Sequence, residues 1–184
     1  MPTTSKTKKI VTWSIIAFLL ALFGIKTFFV GYYRIPQNGM YPSLPAGSIL
    51  FTNKRAYSDA SSVKRGDIIV FVREQNGGRY NYIWRVIALP GEKVEASGKS
   101  LTINDQAVQR QHVREADGNP ILRAQIGDVS YEIAFGSVKG DRPPDISVRV
   151  PPGQFFVMGD NGFNAFDSRY FGPISFSSII GKKL

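Results

Sequence analysis

The stretch Ile10–Ile25 (IVTWSIIAFLLALFGI) carries no charged residue, and Lys6, Lys8 and Lys9 stand just before it. Lys26 follows, and a second apolar stretch, TFFVGYY, ends at Tyr33. A bilayer's hydrocarbon core of about 30 Å takes about 20 helical residues, so Ile10 to about Val30 is long enough to span it. Lys26 lies near the far end and can run its aliphatic stem back to the interface. Trp13 at one end and Tyr32 and Tyr33 at the other are interfacial anchors. The competing reading is a removed targeting peptide. The length of the run and the poor cleavage site at Gly31-Tyr32-Tyr33-Arg34 favour an anchor. Lysines ahead of a span stay on the cytoplasmic side. The sequence therefore predicts a basic cytoplasmic tail over 1–9, a transmembrane anchor over 10–33 and an extracytoplasmic domain over 34–184.

Beyond Arg34 the pattern changes to short apolar or alternating runs bounded by turn residues. Ser48–Asn53, Asp67–Arg73, Tyr82–Leu89, Ser100–Asn104 and Gln154–Met158 read as strands. Pro45-Ala-Gly, Arg65-Gly-Asp, Asn76-Gly-Gly, Pro90-Gly and Pro151-Pro-Gly read as the turns between them. No run in this region keeps a helical period. The expected fold class is mainly β, as folded sheets or a partly open barrel behind one N-terminal helix. Residues 110–149 are polar, with weak strand signals near Val129–Phe135, and read as a divergent insertion.

Several chemistries are excluded outright. With no cysteine there is no disulfide scaffold, thiolate metal site or cysteine nucleophile. The sole histidine, His112, lies among Gln109, Arg110 and Gln111 and reads as a surface residue. No metal site and no cofactor are expected. The formal net charge of +9 is scattered, with no basic block of the kind that binds nucleic acid. Anionic membrane lipid is the simpler partner for it.

Four segments carry a resemblance. They are Ile35-Pro-Gln-Asn-Gly-Met-Tyr-Pro-Ser-Leu44, Arg65-Gly-Asp-Ile-Ile-Val-Phe71, Tyr82-Ile-Trp-Arg-Val-Ile-Ala-Leu-Pro-Gly-Glu92 and Gly159-Asp-Asn-Gly-Phe-Asn-Ala-Phe-Asp-Ser-Arg-Tyr-Phe-Gly-Pro173. In this order, behind an N-terminal anchor, they resemble the boxes of bacterial signal peptidase I. The resemblance implies a serine endopeptidase fold at the outer face of the inner membrane, acting on signal peptides of exported preproteins. It also implies a serine nucleophile and an unprotonated lysine base, which burial would bring towards neutral pKa.

At those positions this chain departs from the pattern. Met40, Pro42, Ser43 and Leu44 set the register, and Gly39 then falls at the nucleophile, Gln37 at an oxyanion-hole serine, Trp84 at the base and Ala165 at a supporting serine. Glycine has no side chain to attack with, and an indole N–H only donates. Loss of a nucleophile alone costs about six decades in rate. By contrast Asp160, Asn161, Asp167, Ser168, Arg169 and Gly172 match, and Asp167 with Arg169 resembles an ion pair that braces the site wall. The resemblance also places Ile35, Pro36, Met40, Leu44, Tyr82 and Ile83 along a substrate groove. Trp84 either fills the space of the missing lysine or walls a groove that binds without cutting.

The expected function is a signal peptidase I-like protein without its dyad, which binds signal peptides or an active peptidase and modulates processing. Two alternatives stand beside it: an active peptidase with a displaced nucleophile, Ser43 with Lys54 or Lys64, and a structural subunit of an envelope assembly.

Overall fold

The computed structural model describes residues 3–135 and 142–184. Helix α1 (Thr3–Phe29) runs straight into strand β1 (Val30–Arg34) with no linker. The helix thus starts inside the expected basic tail, and Val30–Tyr33, grouped with the anchor in the sequence, are strand. Ile10, Trp13, Phe18, Leu20 and Phe23 of α1 are exposed rather than packed on the β domain. Among the described residues no helix is long and apolar enough to cross a membrane. The span expected over Ile10–Val30 therefore rests on the sequence.

In chain order the strands that follow are β2 (Ile49–Asn53), β3 (Ile68–Gln75), β4 (Gly78–Ala88), β5 (Lys93–Ser97), β6 (Ser100–Ile103) and β7 (Gln106–Ala107). Then come β8 (Gln109–Ala116), β9 (Asn119–Ile126), β10 (Val129–Ala134), β11 (Ile146–Arg149) and β12 (Gln154–Met158). One helical turn, α2 (Ser168–Phe171), precedes β13 (Ile174–Ser175) and β14 (Ile179–Lys183). They form a seven-stranded sheet ordered β1-β2-β14-β3-β4-β12-β13, a three-stranded sheet β10-β9-β8 and a four-stranded sheet β11-β5-β6-β7. The mainly β class expected from the sequence is the one observed.

The centre of the large sheet is the β3–β4 hairpin, paired from Ile68↔Arg85 to Gln75↔Gly78. Its turn is Asn76-Gly77, both at positive φ (50° and 75°). That geometry matches the right-handed twist of the flanking strands. Ile69, Val70, Phe71, Trp84 and Val86 are buried along it and join Phe155 and Val157 of β12 in the main core. A second core, with Ile87, Val94, Leu101, Ile126 and Phe156, lies under the smaller sheets.

The polar stretch read as an insertion is mostly ordered β structure. β8, β9 and β10 make a meander, and β11 leaves it to pair with β5. β10 docks on the body: a Cβ at Gly66 would lie 2.6 Å from Val129, and Ala134 N–H donates to Asp160 O at 2.9 Å.

Candidate functional site

Beside the Ile35–Leu44 segment a groove of about 330 Å³ runs along β4. Ile35, Pro36, Gln37, Gly39 and Met40 line one side; Tyr80, Tyr82, Ile83 and Trp84 line the other, with Gln75, Asn76 and Asn81 at the hairpin end. No lining residue is charged. Of the groove residues named from the sequence, Leu44 is the exception. Leu44 N–H donates to Met40 O at 2.8 Å, which folds the segment back and buries the leucine in the main core. The hairpin-end residues Gln75, Asn76, Tyr80 and Asn81 were not foreseen. Their signal lay in Asn76-Gly77, which lets β3 and β4 continue beyond Arg73 and Tyr82 to a two-residue turn.

β4 is eleven residues long. β3 covers one edge from Gly78 to Arg85, but β12 pairs on the other only at Arg85, Val86 and Ala88. The edge from Arg79 to Trp84 thus has no strand partner among the described residues. A strand edge of this kind presents backbone donors and acceptors to an added extended segment.

Gly39 and Trp84, which the resemblance places at nucleophile and base, are in contact. Trp84 is 3 % exposed. A Cβ built on Gly39 would lie 2.5 Å from Trp84 Cη2 and 2.7 Å from Cζ3. A Cβ on Gly159 would meet Trp84 Cζ3 at 2.8 Å and run into Ala165 Cβ and Gly39 O. The indole therefore sits in a slot that two glycines and an alanine leave open. Trp84 fills core space beside Tyr82 (ring centroids 6.4 Å apart) and lines the inner wall of the groove. Its Nε1 is buried with no hydrogen-bond partner among the described residues.

The fourth segment fixes this slot from behind. Asn161 N–H donates to Gly39 O at 3.1 Å, and Asn161 Nδ2 to Asn38 O at 3.1 Å. Asp167, fully buried, accepts from Arg169 Nε at 2.9 Å and Nη2 at 2.7 Å, and from Gly159 N–H at 3.1 Å. Ser168 Oγ accepts from Val157 N–H at 3.0 Å. Asp160 lies apart from this pair and bonds Arg85 instead, Nε at 2.8 Å and Nη2 at 2.7 Å. Burial opposes the Arg85 charge, but the bonds to Asp160 outweigh it and raise the guanidinium pKa. Buried two-point pairs of this kind hold geometry, because breaking one strands a charge.

Arg85 Nη2 also donates to Ser43 Oγ at 3.1 Å. A guanidinium is always protonated and cannot take a proton from that hydroxyl. His112 is exposed, as expected, with Nε2 2.9 Å from Glu115 Oε1. Among the described residues no cluster of carboxylates and histidine could hold a metal ion.

Residues 7–184 match the family described as "Signal peptidase, peptidase S26". The chain is 30 % identical to a signal peptidase I of Bacillus caldolyticus over 98 % of its own length and 91 % of that protein's. It is 35 % identical to signal peptidase I T of Bacillus subtilis, over 96 % and 84 %. The crystal structure of a signal peptidase I from Enterococcus faecalis superposes with a TM-score of 0.43 at 30 % identity, covering 65 % of this chain and 95 % of that one. With a match across nearly its whole length, this chain belongs to the signal peptidase S26 family.

Proposed function

We propose that this protein holds signal-peptide-like segments of exported preproteins in the groove beside Gly39 without cutting them, and so modulates signal-peptide processing. α1 anchors it in the bacterial inner membrane with the β domain outside. The observation that carries this reading is the packing of Trp84 on Gly39. Where the family's dyad would need a hydroxyl and a neutral amine, there is no side chain on one side and an indole on the other. Neither can accept a proton or attack a carbonyl.

Binding does not need the dyad. The uncharged lining of the groove suits an apolar or neutral segment, and the free edge of β4 offers main-chain hydrogen bonds to an extended one. Membrane apposition fits the surface around β1: Tyr32, Ile49, Phe51 and Leu184 are exposed large apolar groups close to the end of α1.

The test uses full-length protein in detergent, a fluorogenic signal-peptide substrate and a fluorescent copy of the same peptide. The native protein is expected to leave the substrate intact and to bind the peptide saturably, and backbone N-methylation of the peptide to weaken binding. The Gly39→Ser, Trp84→Lys double variant reports whether the groove still presents a peptide bond to the restored pair. Native cleavage lost in Ser43→Ala would overturn the proposal in favour of a displaced nucleophile, and absence of saturable binding would overturn it altogether.

A further inference from the structure

Behind the loop whose Asn161 holds the Gly39 carbonyl lies a second cavity, of about 30 Å³. The Gly98–Ser100 turn, β8, β10 and the Gly159–Gly162 stretch enclose it, and its charged lining residues are Lys99, Arg110, Asp160 and Arg169. Two of the four are already neutralised, Asp160 by Arg85 and Arg169 by Asp167. Lys99 and Arg110 enter no ion pair among the described residues. Both flank one ring: Lys99 Nζ is 5.4 Å and Arg110 Cζ 5.3 Å from the centroid of Phe135. Phe135 packs on Phe163 at 5.1 Å, and Arg142 Cζ lies 5.9 Å from that second ring.

Arg110 is the anomaly. Its Nη1 donates to Lys99 O, but its Nε is buried with no acceptor among the described residues. Burial lowers its pKa, and the group that opposes this is a tyrosine, Tyr131, rather than a carboxylate. A guanidinium drawn out of water is normally paired, because an uncompensated charge there is costly.

We propose that this cavity is a carboxylate-binding site in which Arg110 and Lys99 take the ligand's oxygens. About 10–15 Å³ suffices for one water, so the space admits a group of a few atoms. A planar carboxylate matches the fork of a guanidinium. Ser100 adds a hydroxyl at the same wall. The group comes either from an acidic side chain of a partner segment or from a small free acid. The site does not depend on the groove reading.

The experiment is thermal unfolding of the full-length protein in detergent at constant ionic strength, with chloride exchanged for acetate. A saturable rise in unfolding temperature is expected in the parent and none in Arg110→Gln, with Lys99→Gln shifting the midpoint to several-fold higher acetate. In chloride alone Arg110→Gln is expected to be at least as stable as the parent, since it removes a partly buried charge that has no ion-pair partner among the described residues. Calorimetry with a Glu-bearing twelve-residue peptide and its Gln counterpart separates the sources. At least tenfold preference for Glu, with acetate competing, assigns a partner's side chain; acetate binding without that preference assigns a free acid. Either outcome supports the site. An acetate effect that is absent, or equal in Arg110→Gln, overturns it, and so does a marked loss of stability of Arg110→Gln in chloride.

Discussion

Gly39 and Trp84 are one structural decision taken at two positions. The indole lies where any side chain on residue 39 would start, so neither position can change alone without cost. Gly39→Ser by itself overpacks the slot and is expected to lose about 1–3 kcal/mol. Combined with Trp84→Lys, much of that loss should return, because the indole that clashes is gone. Denaturant unfolding of the two single variants and the double variant measures this. Additive losses would mean that the indole moves aside freely, contrary to its 3 % exposure. In the sequence each substitution was readable from its neighbours, Met40-Tyr-Pro-Ser-Leu44 for one and Arg85-Val86 for the other. Their contact was not, since it joins residues far apart in the chain through Gly159 and Ala165.

At the scale of elements, the strands with dense apolar runs announced themselves, while β5 and β9, each with a buried face among polar residues, did not. β3, β4 and β12 carry dense apolar runs because both the core and neighbouring strands cover them. β8 is exposed at nearly every position, so its polar residues show no alternation to read. That is why the stretch from 110 reads as polar, with weak strand signals only near Val129–Phe135. The meander it forms nonetheless reaches the site: its tip carboxylate, Asp117, accepts a hydrogen bond from Tyr41 Oη at 2.8 Å, two residues from Gly39. The bond is exposed, so Asp117→Ala should cost under about 1 kcal/mol of global stability. Its local effect is expected in amide hydrogen exchange, as faster exchange of Met40, Tyr41 and Leu44 with the β3–β4 hairpin unchanged. Unaltered exchange in that segment would show that the meander does not steady the loop.

For the molecule as a whole, three surface carboxylates tie stability to pH. Asp59 is held below its ordinary 3.8 by hydrogen bonds from Ser61 and Ser58. Glu95 is held below 4.5 by Lys93, and Glu132 by Arg114. Lowered folded pKa values mean stabilisation that is complete above the ordinary values and lost as pH falls through the folded ones. Thermal unfolding should therefore be flat near neutrality and decline below about pH 4, with a shallower decline in Glu132→Gln. Each contribution is small because water and salt screen exposed pairs. Stability that rises on acidification would contradict the assignment.

The junction between α1 and β1 has a further consequence. Phe29 ends the helix, Val30 begins the strand, and Phe29 O accepts from Lys54 N–H at 2.8 Å, which stitches the helix end to the sheet. With α1 embedded in lipid as proposed, the β domain has no slack tether. It searches in two dimensions, among chains emerging into the same thin layer of space beside the bilayer. Confinement of both partners to that layer raises their effective concentration without adding a contact. An affinity too weak to notice in dilute solution can then be ample at the membrane, and for the binding proposed above, dissociation constants measured in detergent would understate how often the groove is occupied.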